Sequence, residues 1–397
     1  MKIKLIDILV LASLIATSGF QFFYINEEWI IIAIVFVLIV SIFSKNKSVY
    51  TPKGLLIISI FVLWETVQFF ILGGFRFISL LGTAARFFLF YLVLSYLNTR
   101  FINTYVKLIN YLAIISLIFY IVLFIPGIDN FLFSLSKNFK PVFETEFIGY
   151  EYKPNILIFN LHGYEFTPRR NSGPFWEPGA FAVFINLALA FNVLIDKSFN
   201  FKRNFWLLLA LITTFSTTGF IVGMLTITAA ILFNAKKVFV NILLVLLLIY
   251  PFYALFTNLD FLLPKINNDI EFAQQTTGSR FGSAVADIQL ISKNPVLGYG
   301  RNIEAMYGIS FFIKQQMHRN NGLTKLFVQW GLLAILFLYL TYIGFRNISL
   351  FYSNNKYYSY LFMIVLLLNA FSQPIFQYPF FMGSALYFTV YKSNKVS

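Results

Sequence analysis

The sequence predicts an all-α, polytopic integral membrane protein, and three observations carry that reading. Of 397 residues, 59% are hydrophobic and only 12% are charged. Mean hydropathy is +0.76. Apolar runs of about 20 residues, the length a helix needs to cross a bilayer, recur along the chain.

About twelve such runs lie near residues 4–23, 29–44, 54–73, 77–97, 105–125, 176–195, 205–217, 219–234, 238–256, 323–345, 357–373 and 376–391. They divide the chain into N-terminal membrane helices (1–125), a first long loop (126–175), a central group of helices (176–256), a second long loop (257–322) and C-terminal helices (323–397). Lys2 and Lys4 ahead of the first run, with Ala16-Thr17-Ser18 behind it, have the form of a signal peptide. The expectation is nevertheless a retained first span.

Lysine and arginine set the orientation. Alternate connections carry Lys45, Lys47 and Lys53; Arg100 and Lys107; Lys197, Lys202 and Arg203; Lys236 and Lys237; Arg346 and Lys356; then Lys392 and Lys395. By the positive-inside rule these face the cytoplasm, with both termini. The opposite short connections hold Glu27 and Glu28, or Arg76 alone, or no basic residue at all. Residues 205–234 could form one long helix, but basic clusters at both ends belong on one side, so two short helices are expected. The net charge of +14 is therefore topogenic; no basic run with interleaved surface aromatics points to nucleic acid. The chain has no cysteine, which excludes disulfides, a thiolate nucleophile and cysteine metal sites.

This parity places both long loops outside, with most of the acidic residues and both histidines. Chemistry is expected there. The second loop contains an amphipathic helix from Gly278, with Phe281, Ala284, Val285, Ile288 and Ile291 on one face and Arg280, Ser283 and Asp287 on the other. Pro295 stops it, Gly298 and Gly300 turn the chain, and His318 stands just ahead of the next span. The first loop ends in Pro168-Arg169-Arg170-Asn171-Ser172-Gly173-Pro174-Phe175-Trp176-Glu177-Pro178-Gly179, in which Pro178 suits the first turn of a helix. Two helix N-termini and several arginines could thus converge on one anion, and the planar, permanently charged guanidinium suits a diphosphate.

Other candidates are less specific. Glu65 and Arg86 lie equally far from the Gly73-Gly74 connection, so a hairpin would place them at similar depth and a pairing is expected, because an unpaired charge there costs about 2.5–3.5 kcal/mol. Arg86 could also face the anion. His162, beside Gly163, reads as a solvated loop histidine. Glu144, Glu146, Glu151 and Glu165 read as solvated loop acids, without a D-x-D motif. Trp176, Tyr150, Tyr152, Tyr164 and Tyr299 could offer aromatic faces to a ligand near the outer surface or serve an interfacial belt.

The succession Arg-Asn-Ser-Gly-Pro-Phe-Trp-Glu-Pro-Gly before one span, then Ser279-Arg280, an amphipathic helix, Asn294-Pro295-Val296-Leu297-Gly298-Tyr299-Gly300, His318-Arg319-Asn320 and Trp330-Gly331-Leu332-Leu333, resembles the O-antigen ligase and polymerase superfamily of bacterial envelope glycosyltransferases. Glu-Pro-Gly at the head of the span is more similar to the O-antigen polymerase (Wzy-type) branch. The resemblance covers most of the chain in topology, but in motifs only about 169–180 and 278–335. It implies a GT-C-like fold in the bacterial inner membrane with a periplasmic site. It also implies metal-independent, inverting transfer from an undecaprenyl-diphosphate-linked oligosaccharide, without a cofactor. A chain-length regulator and a flippase would be functional partners.

Carried over by position, Arg280 and either Arg169 or Arg170, with Arg170 favoured, would bind the diphosphate; Arg86, Arg319 and Asn320 are the further substrate-binding candidates. His318 is the expected general base and Glu177 the second candidate. The plainer alternatives are a His318 bonded to a loop carbonyl and a Glu177 that only caps its helix. A ligase acting on lipid A core and a flippase of lipid-linked sugars are the competing functions.

Overall fold

The computed structural model describes residues 3–23, 28–44, 50–73, 77–139, 153–233, 280–302 and 320–391. Helices form along the apolar runs; some stop at glycine, as at Gly73 and Gly331, and others at polar residues such as Asn98, Lys197 and Asn354. In order they are α1 (Leu5–Thr17), α2 (Glu28–Phe43), α3 (Pro52–Leu72), α4 (Ile78–Leu97), α5 (Phe101–Val122), α6 (Ile128–Ser136), α7 (Pro178–Asp196), α8 (Phe201–Thr213), α9 (Thr217–Phe233), α10 (Arg280–Lys293), α11 (Gly322–Trp330), α12 (Leu333–Ser353), α13 (Tyr357–Ser372) and the short α14 (Pro379–Met382). No strand occurs among the described residues. Among the described residues, four helical stretches are long and apolar enough to cross a membrane: Pro52–Leu72, the 45-residue run Ile78–Val122, Pro178–Asp196 and Leu333–Ser353. The expected span at 238–256 lies outside the described residues.

The packing centres on α7. Almost all its side chains are buried, and it packs against α5, α8, α9, α12 and α13. Two asparagines inside this apolar helix are bonded rather than stranded: Asn192 donates to Asn204 Oδ1 at 2.8 Å and Asn186 to the Gly219 carbonyl at 3.2 Å. α1 packs against both α4 and α5, and buried Asp7 meets Arg100 at 2.6 Å.

The helix ends sort into two groups. At one, Lys4 and Asp7 lie with Arg100, the Tyr91 hydroxyl bonds Thr51, and Tyr352 of α12 bonds the Thr99 carbonyl. At the other, Gly19 and Gln21 bond Trp176 and Pro174, Tyr120 of α5 bonds Arg169, and Asn302 bonds the last carbonyls of α3. The described parts of both long loops therefore dock on the same group of helix ends.

Five expectations need correction. Helix α1 stops at Thr17 rather than 23, because the chain turns and pairs Phe20 with Phe175. The run 323–345 is not one helix: it breaks at Gly331, whose φ of 54° is left-handed. A Cβ at Gly331 would lie 2.2 Å from the Val296 carbonyl, so only glycine lets the turn after α10 lie in the break. There Tyr299 and Gly300 donate to the Val328 and Gln329 carbonyls, replacing the bonds the broken helix lost.

The run 376–391 is likewise not a regular span. It folds as 3₁₀ turns, Ile375–Gln377 and Gly383–Thr389, around α14. Pro374 and Pro379 remove donors, and Gly383 lies so close to Phe90 that a Cβ would meet its Cγ at 1.8 Å. Residues 205–234 do form two helices, α8 and α9, parted by a turn at Phe215.

The expected Glu65–Arg86 pair is also not formed. Glu65 Oε1 accepts from the Trp330 indole at 3.1 Å, and Oε2 faces Arg301 at 3.8 Å. Arg301 also donates to Thr83 Oγ1, one helical turn before Arg86. A second-loop arginine takes the partner's place. His162 is not a solvated loop residue either: it is half-buried in a 3₁₀ turn, with its ring 5.1 Å from that of Phe166.

Candidate active site

The first loop delivers its arginines in opposite directions. Arg169 turns back over α5, donating to the Leu123 carbonyl at 3.1 Å and to the Tyr164 hydroxyl at 2.7 Å, with its guanidinium 3.9 Å from the Tyr164 ring centre. Tyr164 in turn donates to Asp129 Oδ2 at 2.6 Å. Asp129 is held below its ordinary carboxylate pKa chiefly by that bond, and the same bond raises the Tyr164 phenol.

Arg170 turns inward. Its Nε and Nη2 donate to the Thr214 and Phe215 carbonyls at 3.0 and 3.1 Å, so the guanidinium caps the C-terminal end of α8, where carbonyls are unpaired and the helix dipole is negative. Its backbone is fixed on both sides. Arg170 N donates to the Gly163 carbonyl, and a Cβ on Gly163 would meet the Arg170 carbonyl at 1.9 Å. The next residue, Asn171, is buried and bonds Thr213 and Ser116.

Glu177 is the residue before α7, with Pro178 in the first turn as expected. Its side chain does not cap its own helix. It crosses to Gln373 at the end of α13, whose Nε2 donates to Glu177 Oε1. Gly179 makes room for this pair, since a Cβ there would lie 2.8 Å from Gln373 Nε2 and 3.1 Å from Glu177 Oε1.

Arg280 opens α10 and donates from Nε to the Ser372 carbonyl at 3.3 Å, the residue before Gln373. The polar face of α10 then holds the head of α11. Ser283 Oγ accepts from Asn320 N at 3.1 Å, and Asp287 Oδ2 accepts from Thr324 Oγ1 at 2.6 Å. Asn321 caps α11 by accepting from the Leu323 and Thr324 N–H groups, so those donors are already used.

The three elements share one electrostatic neighbourhood. Burial lowers the Arg170 pKa, the Glu177 carboxylate pulls it back up, and the Arg280 cation pushes it down again. Glu177 and Arg280, named from distant stretches of sequence, are held by the adjacent residues Gln373 and Ser372, and Arg170 lies within electrostatic reach of both, with Asn320 beside Arg280's helix. Arg169 does not join them, and Arg86 lies on α4 one turn beyond Thr83. His318 and Arg319 lie outside the described residues, as do Glu144, Glu146 and Glu151. Among the described residues no three carboxylate or imidazole side chains gather where a metal ion could sit.

Sequence reasoning missed Gln373 and Arg301. The signal for Gln373 was a polar Ser372-Gln373 pair ahead of Pro374 in an otherwise apolar stretch. Two cations and a carboxylate at this junction can hold an anion next to a hydroxyl group. No family model, curated protein or solved structure matches the chain.

Proposed function

We propose that the chain is a membrane glycosyltransferase of the O-antigen polymerase type. It would join glycan repeat units carried on undecaprenyl diphosphate at the periplasmic face of a bacterial inner membrane. The observation that carries this reading is the meeting of Arg170, Arg280 and Glu177 where both long loops dock on one group of helix ends. About twelve spans would enclose the site, the four long apolar helices among them.

The acceptor hydroxyl attacks the anomeric carbon of the donor from the side opposite the diphosphate. A new C–O bond forms, the bond to the phosphate oxygen breaks, and the electron pair leaves with the diphosphate. Arg170 and Arg280 stabilise the charge that grows on the leaving group. Glu177 accepts a hydrogen bond from a sugar hydroxyl. The hydroxyl proton passes to His318, whose type suits a base near neutral pH.

The test is reconstitution of the purified protein with an undecaprenyl-diphosphate-linked repeat unit, with and without chelator, and separation of the products on a gel. A ladder of lengths that survives chelation supports the reading. Transfer seen only when lipid A core is added would make the protein a ligase. Transport of the lipid-linked unit that persists in His318→Ala, with no joining by the wild type, would make it a flippase.

A further inference from the structure

We infer that Gln373 is a positioning residue for the glycosyl transfer proposed above. It acts through Glu177, holding one carboxylate oxygen so that the other is presented to a hydroxyl of the acceptor sugar beside the attacking one. The inference rests on that reading of the site.

Gln373 is 4% exposed and sits where α13 ends. Its backbone is extended, φ −145° and ψ 139°, which swings the side chain off the helix toward the head of α7. A carboxylate only accepts, so the amide nitrogen must face Glu177 Oε1. Glu177 is half-buried, and its Oε2 accepts no hydrogen bond from the described residues.

Two glycines let Gln373 reach this place. Gly179 leaves space for the amide, and Gly322, at the head of α11, lies against the Gln373 carbonyl, where a Cβ would come within 2.2 Å. The residue before it, Ser372, holds Arg280 through its carbonyl. Consecutive Cα atoms are about 3.8 Å apart, so the group that holds the hydroxyl and the group that holds the diphosphate are tied to neighbouring points on one rigid turn. Alignment of nucleophile and leaving group depends on such a tie.

The experiment is a double-mutant cycle on the reconstituted joining reaction with Gln373→Met, which keeps the length and removes the donor, and Glu177→Gln. Gln373→Met alone is expected to lower kcat about 10- to 100-fold while KM for the lipid-linked unit stays within about twofold. In the Glu177→Gln background it is expected to cause no further loss. Gly179→Ala, which only crowds the pair, is expected to give the same kcat loss and the same silence in that background. It replaces Gln373→Met if that variant does not purify as a monodisperse protein. Multiplying losses in the cycle, or an unchanged kcat, in a protein whose wild type does join units would overturn the positioning role and leave the function standing. A wild type that joins nothing overturns both.

Discussion

Glu65 of α3 and Arg301 of the second long loop face each other at 3.8 Å, with the carboxylate buried and its other oxygen taken by the Trp330 indole. Gln68, one turn further along α3, donates to the Leu297 and Gln329 carbonyls. The loop is thereby fastened to α3 and to the broken helix at once.

Removing one member of a buried pair strands the other, so Glu65→Ala is expected to cost about 3 kcal/mol. The measurement is thermal unfolding in detergent. A double-mutant cycle should show coupling between Glu65 and Arg301. Between Glu65 and Arg86 the effects should add.

Gly331→Ala is expected to lower the unfolding midpoint, because it combines a left-handed backbone with a Cβ 2.2 Å from the Val296 carbonyl. The cost is about 1–3 kcal/mol for the backbone alone. An unchanged midpoint would show that α11 and α12 can realign into one helix.

Arg170→Lys is expected to reduce the joining reaction about 100-fold, since a lysine cannot both span the Thr214 and Phe215 carbonyls and face the site. Arg169→Lys should instead lower thermal stability and leave the rate near that of the wild type. Equal loss of rate in both variants would contradict the separation of the two arginines.

The Asp129–Tyr164 contact gives a pH signature. The Asp129 pKa is lowered on folding, so its contribution is present above the unfolded value of about 3.9 and is lost as pH falls through the folded one. Tyr164 is raised, so its contribution is full below the unfolded value of about 10 and is lost as pH rises through the folded one. The stability difference between wild type and Asp129→Asn, followed as unfolding midpoint against pH, should therefore be greatest near neutrality. A difference that grows below about pH 4 would refute this.

What the sequence determined by itself was local. Hydropathy runs placed α2 to α5, α7 and α13 near their observed ends, because crossing a bilayer requires an uninterrupted apolar stretch with internally bonded backbone. Pro178 and Arg280 marked helix starts, and the residue types of Arg170, Glu177 and Arg280 pointed to the candidate site. Tertiary structure decided which groups meet. Arg169 and Arg170 are adjacent and chemically alike, and only the carbonyls left open at the end of α8 separate them. Glu65 found Arg301 rather than Arg86, and Glu177 found Gln373, because glycines at 179, 322 and 331 allow backbones to approach closer than a Cβ permits. Such approaches depend on two distant stretches at once, so neither stretch announces them alone.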